Sequence, residues 1–253
     1  YQQPFDINTK NLFEEYHIPN DLYVMQFNNR CQMPIHYKTI ALPLVHTTNL
    51  RVLKFDGFAP RNICKIIYYI LKHNHRITTI IMKNYRNLDF AFFNFANLKN
   101  PSAVSWTFSN CNFDEPSQQW QFFNQFHNYK GNIQKLTIDR FKFPILYAER
   151  IAEIICNAYC FRTLEVLEIT QPEISQSNSS EVNTVFSYFS NIVPNLKVLQ
   201  KFTLTHFEIR PSISQQDTKS IKIIETSNLR HLQMSNIDFR KVTNSIQFPS
   251  SIN

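Results

Sequence analysis

Residues 229–239 read Leu229-Arg-His-Leu232-Gln-Met234-Ser-Asn-Ile237-Asp-Phe239, and this stretch decides the fold. Its apolar residues follow LxxLxLxxΦxΦ, where Φ is any apolar side chain. The same pattern stands at residues 133–143 (IQKLTIDRFKF), 199–209 (LQKFTLTHFEI) and 103–113 (AVSWTFSNCNF). A short alternating strand that returns at a near-fixed interval marks an array of repeats.

Counted from the second apolar position, the repeat falls at Met25, Leu53, Ile80, Trp106, Leu136, Leu167, Phe202 and Leu232. The steps between these are 28, 27, 26, 30, 31, 35 and 30 residues, and the longest carries a polar insertion at 175–180 (SQSNSS). Between the strands lie stretches with helical spacing. The spacing predicts helices over residues 63–71, 118–129, 145–161 and 182–193, with weaker ones at 9–17 and 219–226. A strand–loop–helix unit cannot bury its own apolar face and must stack on its neighbours. The expected layout is an end cap over 1–21, about eight repeats over 22–240, and a tail over 241–253.

Composition narrows the function classes. Of 253 residues 43% are hydrophobic and 18% charged, which suits a folded chain. With Gly57 and Gly131 as the only glycines, neither GxGxxG nor GxxxxGK[ST] can be built. Cys31, Cys64, Cys111, Cys156 and Cys160 are odd in number, scattered and without CxxC, as expected of free thiols in a reducing compartment. No apolar run approaches the ~20 residues of a membrane span. Together these place the chain in the cytoplasm. No HExxH or GxSxG occurs, His73-x-His75 is badly spaced for a helical metal pair, and the adjacent pairs Glu14-Glu15 and Asp114-Glu115 diverge. The sequence therefore points to no catalytic residue, no metal and no cofactor.

These repeats resemble the leucine-rich repeat family, whose longer-repeat class runs LxxLxLxx(N/C)xL. The likeness is greatest to the ribonuclease-inhibitor-like and CARMIL-like proteins and covers roughly residues 22–240. Cys111 stands at the N/C position, whereas Phe58, Tyr85, Phe141, Pro172, Phe207 and Ile237 depart from it. The resemblance implies an α/β solenoid: an open horseshoe with a parallel concave sheet and outer helices. A (β/α)8 barrel has units of similar length, but barrel strands are covered on both faces and read as continuous apolar runs. Here Lys54, Thr107, Thr137, Glu168, Thr203 and Gln233 alternate with the apolar positions, so one face is wet.

Period-two alternation puts a column of side chains on that wet face. The expected partner-binding residues are Lys135, Thr137, Asp139, Lys201, Thr203, Thr205, Glu168 and Gln233, and the resemblance implies a non-enzymatic scaffold that binds another protein there. Trp106, at an apolar position of the frame, is expected in the core. The alternative partner is an anionic one, nucleic acid or phospholipid surface, drawn to Arg61, Lys65, Lys72, Arg76, Lys83 and Arg86 by a chain of net charge +7.

Overall fold

The computed structural model describes residues 5–6, 22–28, 41, 44–57, 63–85, 94–98, 101–113, 116–143, 145–170, 173–174, 188–189, 191–205 and 229–235. The strands are β1 (Phe5–Asp6), β2 (Val24–Asn28), β3 (Val52–Asp56), β4 (Thr79–Lys83), β5 (Ser105–Ser109), β6 (Lys135–Asp139), β7 (Lys142–Phe143), β8 (Val166–Thr170), β9 (Glu173–Ile174), β10 (Lys201–Thr205) and β11 (His231–Ser235). Nine of them make one parallel sheet in the order β1-β2-β3-β4-β5-β6-β8-β10-β11. Spatial order follows chain order, as it must when every return passes on the same side. Among the described residues β1 and β11 do not pair with each other, so the sheet is open and the barrel is excluded. Strands β7 and β9 form a separate two-stranded parallel pair that the repeat frame does not announce.

Register is uniform. Met25, Leu53, Ile80, Trp106, Leu136, Leu167, Phe202 and Leu232 are successive partners across the sheet, the same row that the sequence repeat picks out. In β3, β4, β6 and β8 the second and fourth residues are buried and the other three half-exposed, because successive side chains point to opposite faces. Each new strand is started by a forked bond: Thr78 and Thr79 N–H both donate to Arg51 O, and Gln134 and Lys135 N–H both donate to Val104 O.

Helices α1 (Ile63–His73), α2 (Pro116–Asn124) and α3 (Ile145–Asn157) return the chain over the apolar face. α1 buries Ile63, Ile66, Ile67, Ile70 and Leu71, the stripe that its 3.6-residue period predicts. It ends at Asn74, whose side chain donates to Leu44 O (2.9 Å) and Thr47 O (3.2 Å) and so ties down the preceding connection. The second expected helix starts earlier, at Pro116, where the ring's fixed φ suits a first turn and its missing N–H costs nothing. It tightens into a 3₁₀ turn at Gln125–Asn128. The expected helix over 145–161 stops at Asn157, and Tyr159–Thr163 is 3₁₀. Of the expected helix over 182–193, only its C-terminal part is described, closing in the 3₁₀ turn Val193–Asn195. The expected helices at 9–17 and 219–226, the insertion at 175–180, the tail, and all of the end cap except β1 lie outside the described residues.

Aromatic rings fill the centre. Phe95 packs on Phe126 (ring centroids 4.8 Å apart), Tyr129 (5.0 Å) and Trp106 (5.8 Å), and Phe108 meets Phe122 at 5.5 Å. Trp106 is fully buried, as its place in the frame requires. The Tyr129 hydroxyl donates to Ala103 O at 2.7 Å, so the ring can sit inside without an orphaned polar atom.

The corner repeats after β3, β4, β5 and β6. Gly57, Asn84, Asn110 and Arg140 each follow a strand's last residue, and all four have positive φ, 57°, 58°, 52° and 47°. Their N–H groups donate in turn to Lys83, Ser109, Asp139 and Thr170 O of the next strand. Asn110 Nδ2 bonds Asn84 Oδ1 (2.8 Å) and Asn84 Nδ2 bonds Asp56 Oδ1 (2.7 Å), a side-chain ladder one residue before the N/C position. At the N/C position itself Cys111 is buried, with Sγ against Met82 O (3.4 Å) and Ser109 O (3.3 Å). Burial pushes its thiol up to about 12. Tyr85 and Phe141 occupy the equivalent places as buried rings, and Phe141 stacks edge-on to Phe108 at 6.3 Å.

Candidate functional site

The face of the sheet opposite the helices carries the predicted columns in register. Thr107, Thr137, Glu168, Thr203 and Gln233 are consecutive partners in the central row, and Ser109, Asp139, Thr170, Thr205 and Ser235 in the row toward the strand ends. A hollow of about 380 Å³ lies over β4 to β11 and is lined by Lys83, Thr107, Thr137, Glu168, Lys201, Thr203, Gln233 and their neighbours. Seven of the eight predicted partner-binding residues line it. Lys135, the eighth, reaches its edge through Glu168.

Within the hollow two carboxylates organise their surroundings. Glu168 takes Lys201 Nζ on Oε1 (2.6 Å), and Thr137 Oγ1 (2.9 Å) and Lys135 Nζ (3.2 Å) on Oε2. Its side chain is 16% exposed, so burial alone would raise its pKa. The bonds from Lys201, Thr137 and Lys135 outweigh burial and hold it below the usual carboxylate range. Asp139 accepts from Ser109 Oγ (2.6 Å), Thr170 Oγ1 (2.7 Å) and Arg140 Nε (3.3 Å). Against the opposing effect of burial, these donors likewise lower its pKa. Sequence placed these residues on one face but not in contact. The hydroxyls of Thr137, Ser109 and Thr170 reach the carboxylates straight across from register partners, whereas Lys135 and Lys201 reach Glu168 diagonally from the row before it.

Other side chains of the hollow stay unengaged. Lys83 makes no ion pair, and the hydroxyls of Thr107 and Thr205 make no hydrogen bond among the described residues. Thr203 is 4% exposed, and its Oγ1 is buried without a hydrogen-bond partner.

Of the six residues of the anionic-partner alternative, the four that are described do not all lie on one face. Lys65 and Lys72 lie on α1 and Arg76 in the turn after it, where Arg76 Nη1 donates to Thr48 O (3.0 Å). Lys83 projects from the opposite face of the sheet, in the hollow. Arg61 and Arg86 lie outside the described residues.

Compared with known proteins, the sequence matches no family model and no curated protein. The reading therefore rests on the geometry. Among the described residues no group of three or more His, Cys, Asp or Glu could hold a metal ion, and no helix is long and apolar enough to cross a membrane. Cys64, Cys111, Cys156 and Cys160 are all free, and Cys31 lies outside the described residues.

Proposed function

We propose that the chain is a leucine-rich-repeat-type solenoid, curved into a horseshoe, that binds a partner protein across the face of its sheet opposite the helices and performs no catalysis. The observation that carries this reading is the in-register polar face with its hollow of about 380 Å³. The rows of Thr, Lys, Asp and Glu on the face away from the helices give a partner hydrogen-bonding groups and charges in a fixed array. Such a surface is rigid and extended, and affinity would come from a few anchors rather than from the whole area. The free thiols support a reducing compartment, the cytoplasm among them.

The test is affinity capture from a native lysate with the wild-type chain and with a Thr107→Arg/Gln233→Arg double variant. Thr107 is half-exposed and Gln233 exposed, so both arginines project into the hollow without entering the core. A protein retained by the wild type and lost with the variant supports the reading. Equal recovery with both baits, or recovery of nucleic acid or lipid alone, overturns it.

A further inference from the structure

We infer that the segment received by the hollow is acidic, a stretch of a partner protein rich in aspartate and glutamate. This rests on the proposal that the uncovered face is a docking surface. The hydrogen-bonding groups already engaged in the hollow, and those left over, select that occupant.

The acceptors are taken. Glu168 holds three donors on its two oxygens, two of them ammonium groups. Asp139 holds three more, from Ser109, Thr170 and Arg140. A basic partner would have to displace charge-assisted bonds to reach either carboxylate. Several donors are left over. An ammonium carries three protons, and Lys135 and Lys201 each place one on Glu168, leaving two apiece. Two ammoniums on one carboxylate also leave that cluster net positive. Lys83, at the other end of the same hollow, makes no ion pair among the described residues. Between the two ends, the half-exposed Thr107 has a hydroxyl with no partner among the described residues. A surface with spare ammonium protons, engaged carboxylates and surplus positive charge fits an acceptor-rich anion.

The spacing says how large that anion is. Lys83 ends β4 and Lys201 begins β10, four strands across and four residues along, roughly 23 Å apart at the usual spacings. One carboxylate cannot touch both. An extended segment of about seven residues laid obliquely across the strands can.

The test uses the full chain against an array of random 12-residue peptides, at low and high sodium chloride. Circular dichroism of every variant confirms the fold. The expected result is that the bound peptides are acidic and that their binding weakens with salt. Lys83→Glu is expected to weaken them about tenfold. Glu168→Gln is expected to tighten them several-fold, because it releases Lys135 and Lys201, an effect that a merely structural role would not produce. If the bound peptides are neutral or basic yet are lost with Thr107→Arg, the docking face stands and the acidic occupant falls. If acidic peptides bind but neither Thr107→Arg nor Lys83→Glu affects them, both fall. An array with no bound peptide overturns the linear acidic segment. Phosphatidylserine vesicles that bind more tightly than any peptide, and are lost with Lys83→Glu, would give the donors to a lipid surface instead.

Discussion

Glu168 shows how a single side chain can order an otherwise exposed face. Its carboxylate draws Lys135 from β6 and Lys201 from β10 across β8, so three neighbouring strands share one charge cluster. Hydrogen bonds to charged groups contribute about 2 kcal/mol net, and removing a partly buried acceptor leaves its donors opposed. Glu168→Ala is therefore expected to cost about 2 kcal/mol in denaturant unfolding. The pH dependence has a definite sign. Glu168 and Asp139 ionise below their ordinary values of 4.5 and 3.8 in the folded chain, so the unfolded chain takes up their protons first. Their contribution is complete above those values and is lost as pH falls through the lowered folded ones. Stability followed from neutral pH into that acid range should drop for the wild type and drop less for Glu168→Gln. Gly131 makes a different kind of constraint. A Cβ there would stand 2.7 Å from Pro101 O and 2.7 Å from the Tyr129 ring, itself fixed by its bond to Ala103 O. Gly131→Ala is expected to cost about 1–3 kcal/mol, read as a lowered midpoint of thermal unfolding. Neither residue announced its role in the sequence. Which face Glu168 occupies follows from alternation, but which lysines it reaches depends on rotamers of long side chains.

Among the elements, the strands were legible and the corners were not. Apolar residues two apart, returning every 26 to 35 residues, fixed the register of eight strands, because a one-residue slip would turn every Leu, Ile and Phe of the row to water. Helix ends were less legible. A 3₁₀ turn keeps nearly the same apolar spacing as an α-helix over one turn, so Tyr159–Thr163 reads as a continuation of α3. The corner ladder was hidden by the family pattern, which draws the eye to the N/C position. A signal did exist one residue earlier, in Gly57, Asn84 and Asn110, the residue types that tolerate positive φ. Arg140 broke it. The corner also makes a prediction. Asn110→Ala loses the bond to Asn84 and puts an ordinary side chain at φ 52°, with an expected cost of about 1–2 kcal/mol. Asn110→Gly loses the same bond but relieves the backbone, so it should cost less. Denaturation of the two variants side by side checks the order, and an alanine variant as stable as the glycine one would show that the corner is unstrained.

At the scale of the molecule, the continuous core and the open sheet make opposite demands on shape. The core joins β2 through β11 without a break, and its aromatic centre around Trp106, Phe95 and Phe126 binds the middle repeats together. Truncating Phe126, which touches six other rings, is expected to cost about 3–5 kcal/mol. Stacking repeats in one direction nevertheless lengthens the molecule with every unit, because each contacts only its neighbours. A compact domain of this length would have a radius of gyration of about 18 Å. The proposed horseshoe should exceed that in small-angle scattering, with a distance distribution skewed to long separations. The uncovered face must also stay uncovered in solution for a partner to reach Lys83 and Lys201. A radius near the compact value with a symmetric distribution would mean that the remaining chain folds back over the hollow, and the docking face would then be interior. An extended profile leaves the hollow open, and Lys83 together with the net-positive cluster of Glu168, Lys135 and Lys201 is then within reach of an acidic partner.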